Sequence, residues 1–344
     1  MLSFGTVICT YKRQHLLEQC LESWQRSHRL PNQLIVVDAT PNASEYQAEL
    51  MHKFSSLFDQ PDNHYIISEQ PGLTLQRNIG LQRVKTDIVC FVDDDAHISP
   101  DYVGKIVEVF EHDQQKTIGG VNGTALGQFD NSSQKYARFF RNYVRHHFGK
   151  VAQRIRIPAE QTKLHEPLTS ELQTLPLIHI DRLWGANMNY RTELIYNLGF
   201  DENFQRYGLF EDVDISVRVG KTHKLVCRLD ALIDHDETLG KSTRPKEAQY
   251  FLASWVNSAY IIEKLFPCAE SRNAHQRFFE LLRLFSAISP EAVRTKKFRA
   301  LGNAELFNQA HVFIQELRQC QSSEELGAKF QQIQLQIMSI SLPV

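Results

Sequence analysis

Short apolar runs alternate with stretches of helical period through roughly the first third of the chain. Apolar and β-branched residues cluster at positions 6–10, 34–37, 65–67 and 88–92, and these runs predict buried strands. Between the runs, apolar residues recur every three or four positions, so a helix is expected after each strand. Strands that alternate with helices form parallel βαβ units, and the pattern therefore predicts a doubly wound, mostly parallel sheet.

The alternation, which includes a helix predicted over residues 44–58, ends after one further predicted strand at residues 118–121. A last strand is predicted at residues 226–229. From Pro245 onward apolar residues keep a helical spacing, which predicts a helical extension with breaks at Pro267 and Pro290. We therefore expect an α/β protein with a C-terminal helical extension. Its three predicted segments are residues 1–125, 126–240 and 241–344.

Three consecutive carboxylates, Asp93, Asp94 and Asp95, follow the strand predicted at residues 88–92. His97, just beyond them, is expected on the approach to a helix that begins at Pro100. Like charges beside a buried strand raise one another's pKa unless a cation is present. Mg²⁺ and Mn²⁺ prefer oxygen ligands and accept phosphate as a further ligand. The triplet alone is compatible with either a solvated acidic turn or a cation site.

Polar residues also stand at the ends of the first two predicted strands. Thr10 and Tyr11 end the first, and Asp38 ends the second. In doubly wound sheets, ligands bind beyond the carboxyl ends of the strands. These tips and the aspartate triplet are expected to line one rim, which favours the cation site over the solvated turn.

Composition narrows the function classes. The 344 residues are 42% hydrophobic and 23% charged, with a net charge of −2, which argues against a nucleic-acid binder. The six cysteines are scattered, as expected for reduced thiols. No apolar run reaches the roughly 18 residues of a membrane span, and the first strand leaves no room for a signal peptide. A cytoplasmic location is predicted.

Residues 135–156 contain seven Lys or Arg and no acid, with aromatic residues interleaved. The pattern is compatible with an amphipathic helix that has a solvated basic face. It is also compatible with a surface for anionic lipid head groups, and so with peripheral contact at the inner face of a membrane, or for an anionic acceptor. A nucleic-acid site is the third alternative for this stretch. The helical extension fits homo-oligomerisation, membrane docking or acceptor binding equally well.

Seven short motifs occur in an order that resembles the family-2 glycosyltransferases, which are nucleotide-sugar-dependent enzymes of GT-A fold. Each motif is weak alone, and their order makes the resemblance strong over residues 1–240. The motifs are residues 7–13, 35–38, 72–80, 91–95, 185–187, 199–202 and 211–215.

The resemblance implies an inverting hexosyl- or N-acetylhexosaminyltransferase of the kind used in polysaccharide biosynthesis. The donor would be a nucleotide-diphosphate sugar, with a UDP-sugar favoured, and the acceptor a hydroxyl of a glycan or lipid-linked glycan. Residues 1–125 would bind the donor, and residues 126–240 would bind the acceptor and carry the catalytic base. Ala39 departs from the acid or amide that many members carry there, which weakens the inference about the nucleotide.

The resemblance also implies a role for individual residues. Asp212 would be the general base, with Glu211 and Trp184 at the acceptor. Asp95 would bind a divalent cation, Mn²⁺ or Mg²⁺. Apart from the resemblance, His235 follows a predicted strand, and it could complete the metal ligands or contact the diphosphate, or be a hydrogen-bonded surface histidine. The nucleotide and donor residues would be Thr10, Tyr11, Asp38, Arg77, Asp93, Asp94, Gly185 and Ala186.

The chemistry of glycosyl transfer fits two separate acid clusters. A divalent cation neutralises the departing diphosphate, and a carboxylate activates the acceptor hydroxyl. Two alternatives stay open. A sugar-phosphate nucleotidyltransferase would need a Gly-rich, Lys-containing loop after the first strand, which residues 11–14 do not supply. A non-catalytic nucleotide-binding or scaffold protein would use the helical extension for assembly.

Overall fold

A computed structural model describes the chain in five stretches, and its contacts divide the chain into two compact units. The described stretches are residues 1–125, 162–164, 166–235, 246–288 and 304–340. The first unit contains the described residues up to 202 together with 211–235. The second contains residues 203–210, 246–288 and 304–340. The division of function among the three predicted segments stays a prediction.

The first unit alternates strands and helices, as the apolar pattern predicts. Its strands are β1 (Phe4–Thr10), β2 (Gln33–Asp38), β3 (His64–Ile67), β4 (Ile88–Asp93), β5 (Ala96–Ile98), β6 (Ile118–Ala125), β7 (Leu177–His179), β8 (Asn187–Arg191) and β9 (Lys224–His235). Its helices are α1 (Gln14–Gln25), α2 (Ser44–Lys53), α3 (Ser55–Phe58), α4 (Leu73–Leu81), α5 (Tyr102–His112), α6 (Ser170–Gln173), α7 (Thr192–Leu198) and α8 (Glu211–Gly220).

The nine strands within the described residues belong to one mixed sheet in the order β3-β2-β1-β4-β8-β6-β9-β5, with β7 also paired to β9. The β3-β2-β1-β4 half is parallel. Strand β8 runs antiparallel between β4 and β6. Thr10 pairs with Asp38, and Cys9 with Asp93, so the ends of β1, β2 and β4 lie along one edge. The shared rim predicted from the sequence is confirmed.

Strands β1, β2 and β4 are buried on both faces, which explains why they are continuous apolar runs, whereas β3 at the edge is only partly buried. Phe4 and Ile8 of β1 pack in one cluster together with Trp24 of α1. Val7 points to the opposite face, where Phe91 and Phe200 pack edge to face at 4.8 Å.

Three elements differ from the prediction. The segment predicted as one helix over residues 44–58 breaks at Phe54, whose backbone leaves the helical region, and forms α2 and α3. The final strand, predicted at 226–229, continues to His235 because β5 pairs with its second half. His97, expected on the approach to a helix, lies in β5 opposite Asp234. These strand ends depend on pairing partners that are distant in the chain.

The second unit contains four described helices. They are α9 (Glu247–Leu265), α10 (Ala269–Ile288), α11 (Ala304–Arg318) and α12 (Ser323–Ser339). The break between α9 and α10 falls at Pro267, as predicted, whereas Pro290 lies outside the described residues. Aromatic rings join the helices, with Tyr260 stacked on Phe330 at 3.8 Å.

Two points bear on membranes. Within the described stretches, none of the helices has the length and apolar character needed to cross a bilayer. The basic residues 135–156 lie outside the described residues. Membrane contact through that stretch therefore stays a prediction.

Replacing Gly80 with alanine is expected to destabilise the first unit by about 1–3 kcal/mol. A Cβ there would lie 2.4 Å from Cγ1 of Val7, because α4 packs closely on β1. Gly104 of α5 is a matched control, since a Cβ there meets nothing within 4 Å. Its alanine variant should be about 0.5–1 kcal/mol more stable. Urea unfolding measures both, and equal effects of the two substitutions would contradict the packing argument.

Candidate active site

The central aspartate of the triplet points into the protein. Asp94 is fully buried, and its carboxylate accepts a 2.6 Å hydrogen bond from the hydroxyl of Thr10. The guanidinium of Arg13 lies 2.7 Å from Asp94 and 3.1 Å from Asp95. Arg13 therefore supplies one of the cations that three adjacent carboxylates require. The predicted donor contact of Asp94 stays a prediction.

Asp93 and Asp95 come together with a histidine from the far end of the sheet. One ligand atom each from Asp93, Asp95 and His235 all lie within 4.8 Å of one another. Strand β9 brings His235 beside the triplet, where its Nε2 is 3.1 Å from Asp95. Trp184 packs edge to face on the imidazole at 4.9 Å. Two carboxylates and an imidazole are ligands that Mn²⁺ and Mg²⁺ accept, so these residues fit the predicted divalent cation.

Burial and nearby charges give the three aspartates different pKa values. Burial raises the pKa of Asp94 to about 7 despite Arg13 and Thr10. Burial likewise raises the pKa of Asp93, with Arg77 opposing the change. Burial also acts on Asp95, but the hydrogen bond and charge of His235 outweigh it and lower the Asp95 pKa. The ionised form is therefore favoured at Asp95 and disfavoured at Asp93 and Asp94. A bound cation would lower the cost of ionising these two carboxylates.

At the end of β2, Asp38 is fully buried. Its carboxylate accepts hydrogen bonds from the hydroxyls of Tyr46 and of Tyr65, the latter at 2.6 Å. The backbone N–H of Thr40 donates a third at 2.7 Å. Burial and these bonds raise the pKa of both tyrosines, which therefore stay protonated donors. Among the predicted nucleotide residues of β1 and β2, Tyr11 is the one whose side chain is partly exposed.

Asp212, the predicted base, lies in the first turn of α8, where the helix dipole favours a negative charge. The backbone N–H of Gly185 donates to its Oδ2 at 3.2 Å, and that of Val213 to its Oδ1 at 2.8 Å. The guanidinium of Arg182 reaches the same Oδ2 at 3.4 Å. Three donors thus hold the carboxylate in one orientation.

Glu211 is buried beside Asp212 and forms an ion pair with Arg77. Burial raises the pKa of Glu211 to about 7; Arg77 opposes this and the charge of Asp212 adds to it. The predicted acceptor residue therefore contacts a buried arginine. Its role at the acceptor stays a prediction.

The raised pKa of Glu211 predicts a pH-dependent stability. The group titrates near its ordinary value of 4.5 when unfolded and at about 7 when folded. The folded protein therefore holds this proton more tightly, so its contribution to stability is complete below pH 4.5 and is lost as the pH rises through 7. Glu211→Gln removes the titration. Relative to wild type, the variant should gain about 1–3 kcal/mol between pH 4.5 and pH 8 in metal-free urea unfolding. A stability difference that does not vary with pH would contradict this.

A buried asparagine network supports the loop of residues 184–187. The side chain of Asn122 accepts a 2.6 Å hydrogen bond from the N–H of Trp184 and donates to the backbone oxygen of Asn187. The side-chain oxygen of Asn187 accepts from the N–H of Gly123 at 2.6 Å. The loop also contacts β4, since the N–H of Asp93 donates to the oxygen of Ala186 at 3.3 Å. The predicted donor residues Gly185 and Ala186 are therefore rigidly placed beside the triplet.

Sequence reasoning did not identify three of these contributors. Arg13 could have been found, because three buried acids require a cation and it stands just after β1. Arg182 and Asn122 carried no comparable signal, since single polar residues in loops and strands are common. Their roles depend on contacts with distant residues: Arg182 bonds Asp212, 30 positions away, and Asn122 bonds Asn187, 65 positions away.

Comparison with known proteins supports the predicted class. Residues 6–164 match the family described as Glycosyl transferase family 2. Among solved structures, S. aureus TarS 1-349 is 15% identical with a TM-score of 0.51, over 97% of this chain and 90% of that one. GalNAc-T7 with UDP, GalNAc and Mn²⁺ is 16% identical with a TM-score of 0.53, over 98% of this chain and 58% of that one.

A third similar structure is the mannosyltransferase PcManGT from Pyrobaculum calidifontis in complex with GDP-Man and Mn²⁺. It is 14% identical with a TM-score of 0.51, over 91% of this chain and 87% of that one. No curated protein matches the sequence significantly. The solved structures show a GT-A fold for this chain, and residues 6–164 are similar to glycosyltransferase family 2.

Proposed function

We propose that this protein transfers a sugar, with inversion, from a nucleotide-diphosphate sugar to a hydroxyl of a glycan or lipid-linked acceptor. Asp212 is the general base, and Asp93, Asp95 and His235 hold the divalent cation. The observation that carries the proposal is that one guanidinium, that of Arg77, bonds both Asp93 and Glu211. A single side chain therefore links the cation-type cluster (Asp93, Asp95 and His235) to the acid pair of Glu211 and Asp212.

Similar structures support the donor class. TarS has been crystallised with UDP-GlcNAc, GalNAc-T7 with UDP and Mn²⁺, and PcManGT with GDP-Man and Mn²⁺. We carry over a nucleotide-sugar donor and a divalent cation, and we favour a uridine nucleotide. On this proposal Thr10, Tyr11 and Asp38 form the nucleotide side of the site, with Asp38 acting through the two tyrosines that it binds.

The proposed reaction is a single displacement. The acceptor oxygen forms a bond to the anomeric carbon as the bond to the diphosphate oxygen breaks, and the hydroxyl proton goes to Asp212. The anomeric configuration inverts because attack comes from the face opposite the leaving group. Asp93, Asp95 and His235 would hold a divalent cation, which would supply positive charge for the departing diphosphate. Gly185, Val213 and Arg182 keep the Asp212 carboxylate oriented toward the acceptor.

The setting of the reaction rests on sequence alone. Polysaccharide biosynthesis, a cytoplasmic location, membrane contact through residues 135–156 and assembly through the helical extension all stay predictions. None of them is required by the chemistry proposed for the site.

A donor screen tests the proposed function. The protein is incubated with UDP- and GDP-sugars, each with Mn²⁺, Mg²⁺ or EDTA, and melting temperature and release of nucleoside diphosphate are measured. A true donor at 100 times its Kd should stabilise the fold by about 2.7 kcal/mol, so it should stand out among the sugars. Stabilisation and release should both require the metal. If no nucleotide sugar binds in a metal-dependent way, the proposal fails.

A further inference from the structure

Arg77 is buried deep in the first unit. Its side chain is 2% exposed and comes from α4, so that no face of the guanidinium opens to solvent. The guanidinium carbon lies 5.4 Å from the centre of the Phe200 ring, which covers one face. A nucleotide could reach this group only if surrounding side chains moved.

The donors of the guanidinium are directed to three separate groups. One terminal nitrogen bonds the carboxylate of Glu211. The other donates to the backbone oxygen of Gly185 at 2.9 Å and to Oδ1 of Asp93 at 3.2 Å. Arg77 thus joins β4, the loop of residues 184–187 and the start of α8, which are the elements that carry the proposed site.

These contacts form a closed ring of hydrogen bonds around the proposed base, which we call the circuit. The oxygen of Gly185 accepts from Arg77, while the N–H of Gly185 donates to Asp212. Arg77 then bonds Glu211, which precedes Asp212 in the chain. The packing is tight, since a Cβ on Gly185 would lie 3.2 Å from Oε1 of Glu211. Asp212 is therefore held on two sides by groups that Arg77 holds.

We propose that Arg77 is a positioning residue that fixes Asp212 relative to Asp93, and that it does not contact the nucleotide. This inference rests on the proposed function, because that function assigns the base to Asp212 and the divalent cation to the cluster that contains Asp93. It replaces the donor contact that the family resemblance implies for Arg77 with a role through other residues.

Arginine suits this role because its planar fork offers five donors in fixed directions. Lysine keeps the positive charge but presents it from a single nitrogen, which cannot bond Glu211, Gly185 and Asp93 with the same geometry. Arg77→Lys should therefore preserve the charge balance and loosen the circuit. A displacement of about 1 Å at a reacting group can lower the rate about 100-fold.

The test compares Arg77→Lys with Arg191→Lys, using the donor found by the screen. Arg191 is a matched control, since it is also buried, pairs with Asp113 at 2.9 Å and contacts none of the proposed site residues. Both variants should melt at lower temperature. Only Arg77→Lys should lose kcat, by about 10- to 100-fold, while its KM for the donor and its affinity for UDP with Mn²⁺ stay within threefold of wild type.

A second variant covers the case in which Arg77→Lys does not fold. Glu211→Gln weakens the same circuit and leaves Arg77 in place, so kcat should fall and UDP affinity should not. Arg77 is instead a nucleotide contact if Arg77→Lys weakens UDP binding tenfold or more. Unchanged kcat in either variant overturns the positioning role alone, whereas an inactive wild-type protein defeats the proposed function and this inference with it.

Discussion

Asp212→Asn is expected to lower the kcat of sugar transfer by roughly 10²- to 10⁴-fold, the usual contribution of a positioned general base. The amide is nearly isosteric with the carboxylate but cannot take the proton of the acceptor hydroxyl. Because Asp212 contacts Gly185, Val213 and Arg182 and none of the cation-type cluster, nucleotide binding should persist. Steady-state kinetics and calorimetric titration of UDP with Mn²⁺ measure the two properties separately.

Asp214→Asn is the matched control for this experiment. Asp214 lies on the same helix, is buried and pairs with Arg218 at 2.7 Å, away from the proposed chemistry. Its amide variant should lose stability and keep kcat within a few-fold of wild type. If Asp212→Asn turns over at the wild-type rate, the base is another residue.

Asp95→Asn is expected to raise the Mn²⁺ concentration needed for half-maximal activity by more than about 100-fold. Changes in groups that merely support metal ligands already cost 10- to 100-fold in metal affinity, and Asp95 would be a ligand itself. His235→Ala should act in the same direction, because its imidazole belongs to the same cluster. Metal titrations of activity, after removal of bound ions with EDTA, measure the effect.

Asp234→Asn controls for loss of negative charge near the metal. Asp234 is exposed and adjacent to His235 in β9, but it is not part of the cluster. Its variant should keep the wild-type Mn²⁺ requirement. An unchanged requirement in Asp95→Asn would remove Asp95 from the proposed metal ligands.

Much of the rim could be predicted because its information is local. The runs that form β1, β2 and β4 are apolar on both faces, and each ends in polar residues at the carboxyl end. In a parallel sheet those ends must align, so Thr10, Asp38 and Asp93 were expected together before any contact was known. The register of β1 and β2 confirms this expectation, because Thr10 lies opposite Asp38.

The parts that could not be predicted depend on long-range contacts. Alternation along a strand indicates that Asp93 and Asp94 face opposite sides, but it does not indicate which side is the protein interior. Asp94 is enclosed by Thr10 and Arg13, and Asp93 is left to the cluster with Asp95 and His235. The resemblance likewise named Arg77, but its partners come from residues more than 100 positions away.

The sequence by itself determined the α/β fold, the helical extension and the edge of the sheet at which the proposed site lies. Each follows from the periodicity of apolar residues and from short motifs, which are properties of neighbouring residues. Only the tertiary structure decided which carboxylates can share a cation and which are enclosed with arginines. This difference between the carboxylates arises from the low polarity of the interior, where a charge is tolerated only beside a partner that the fold brings to it.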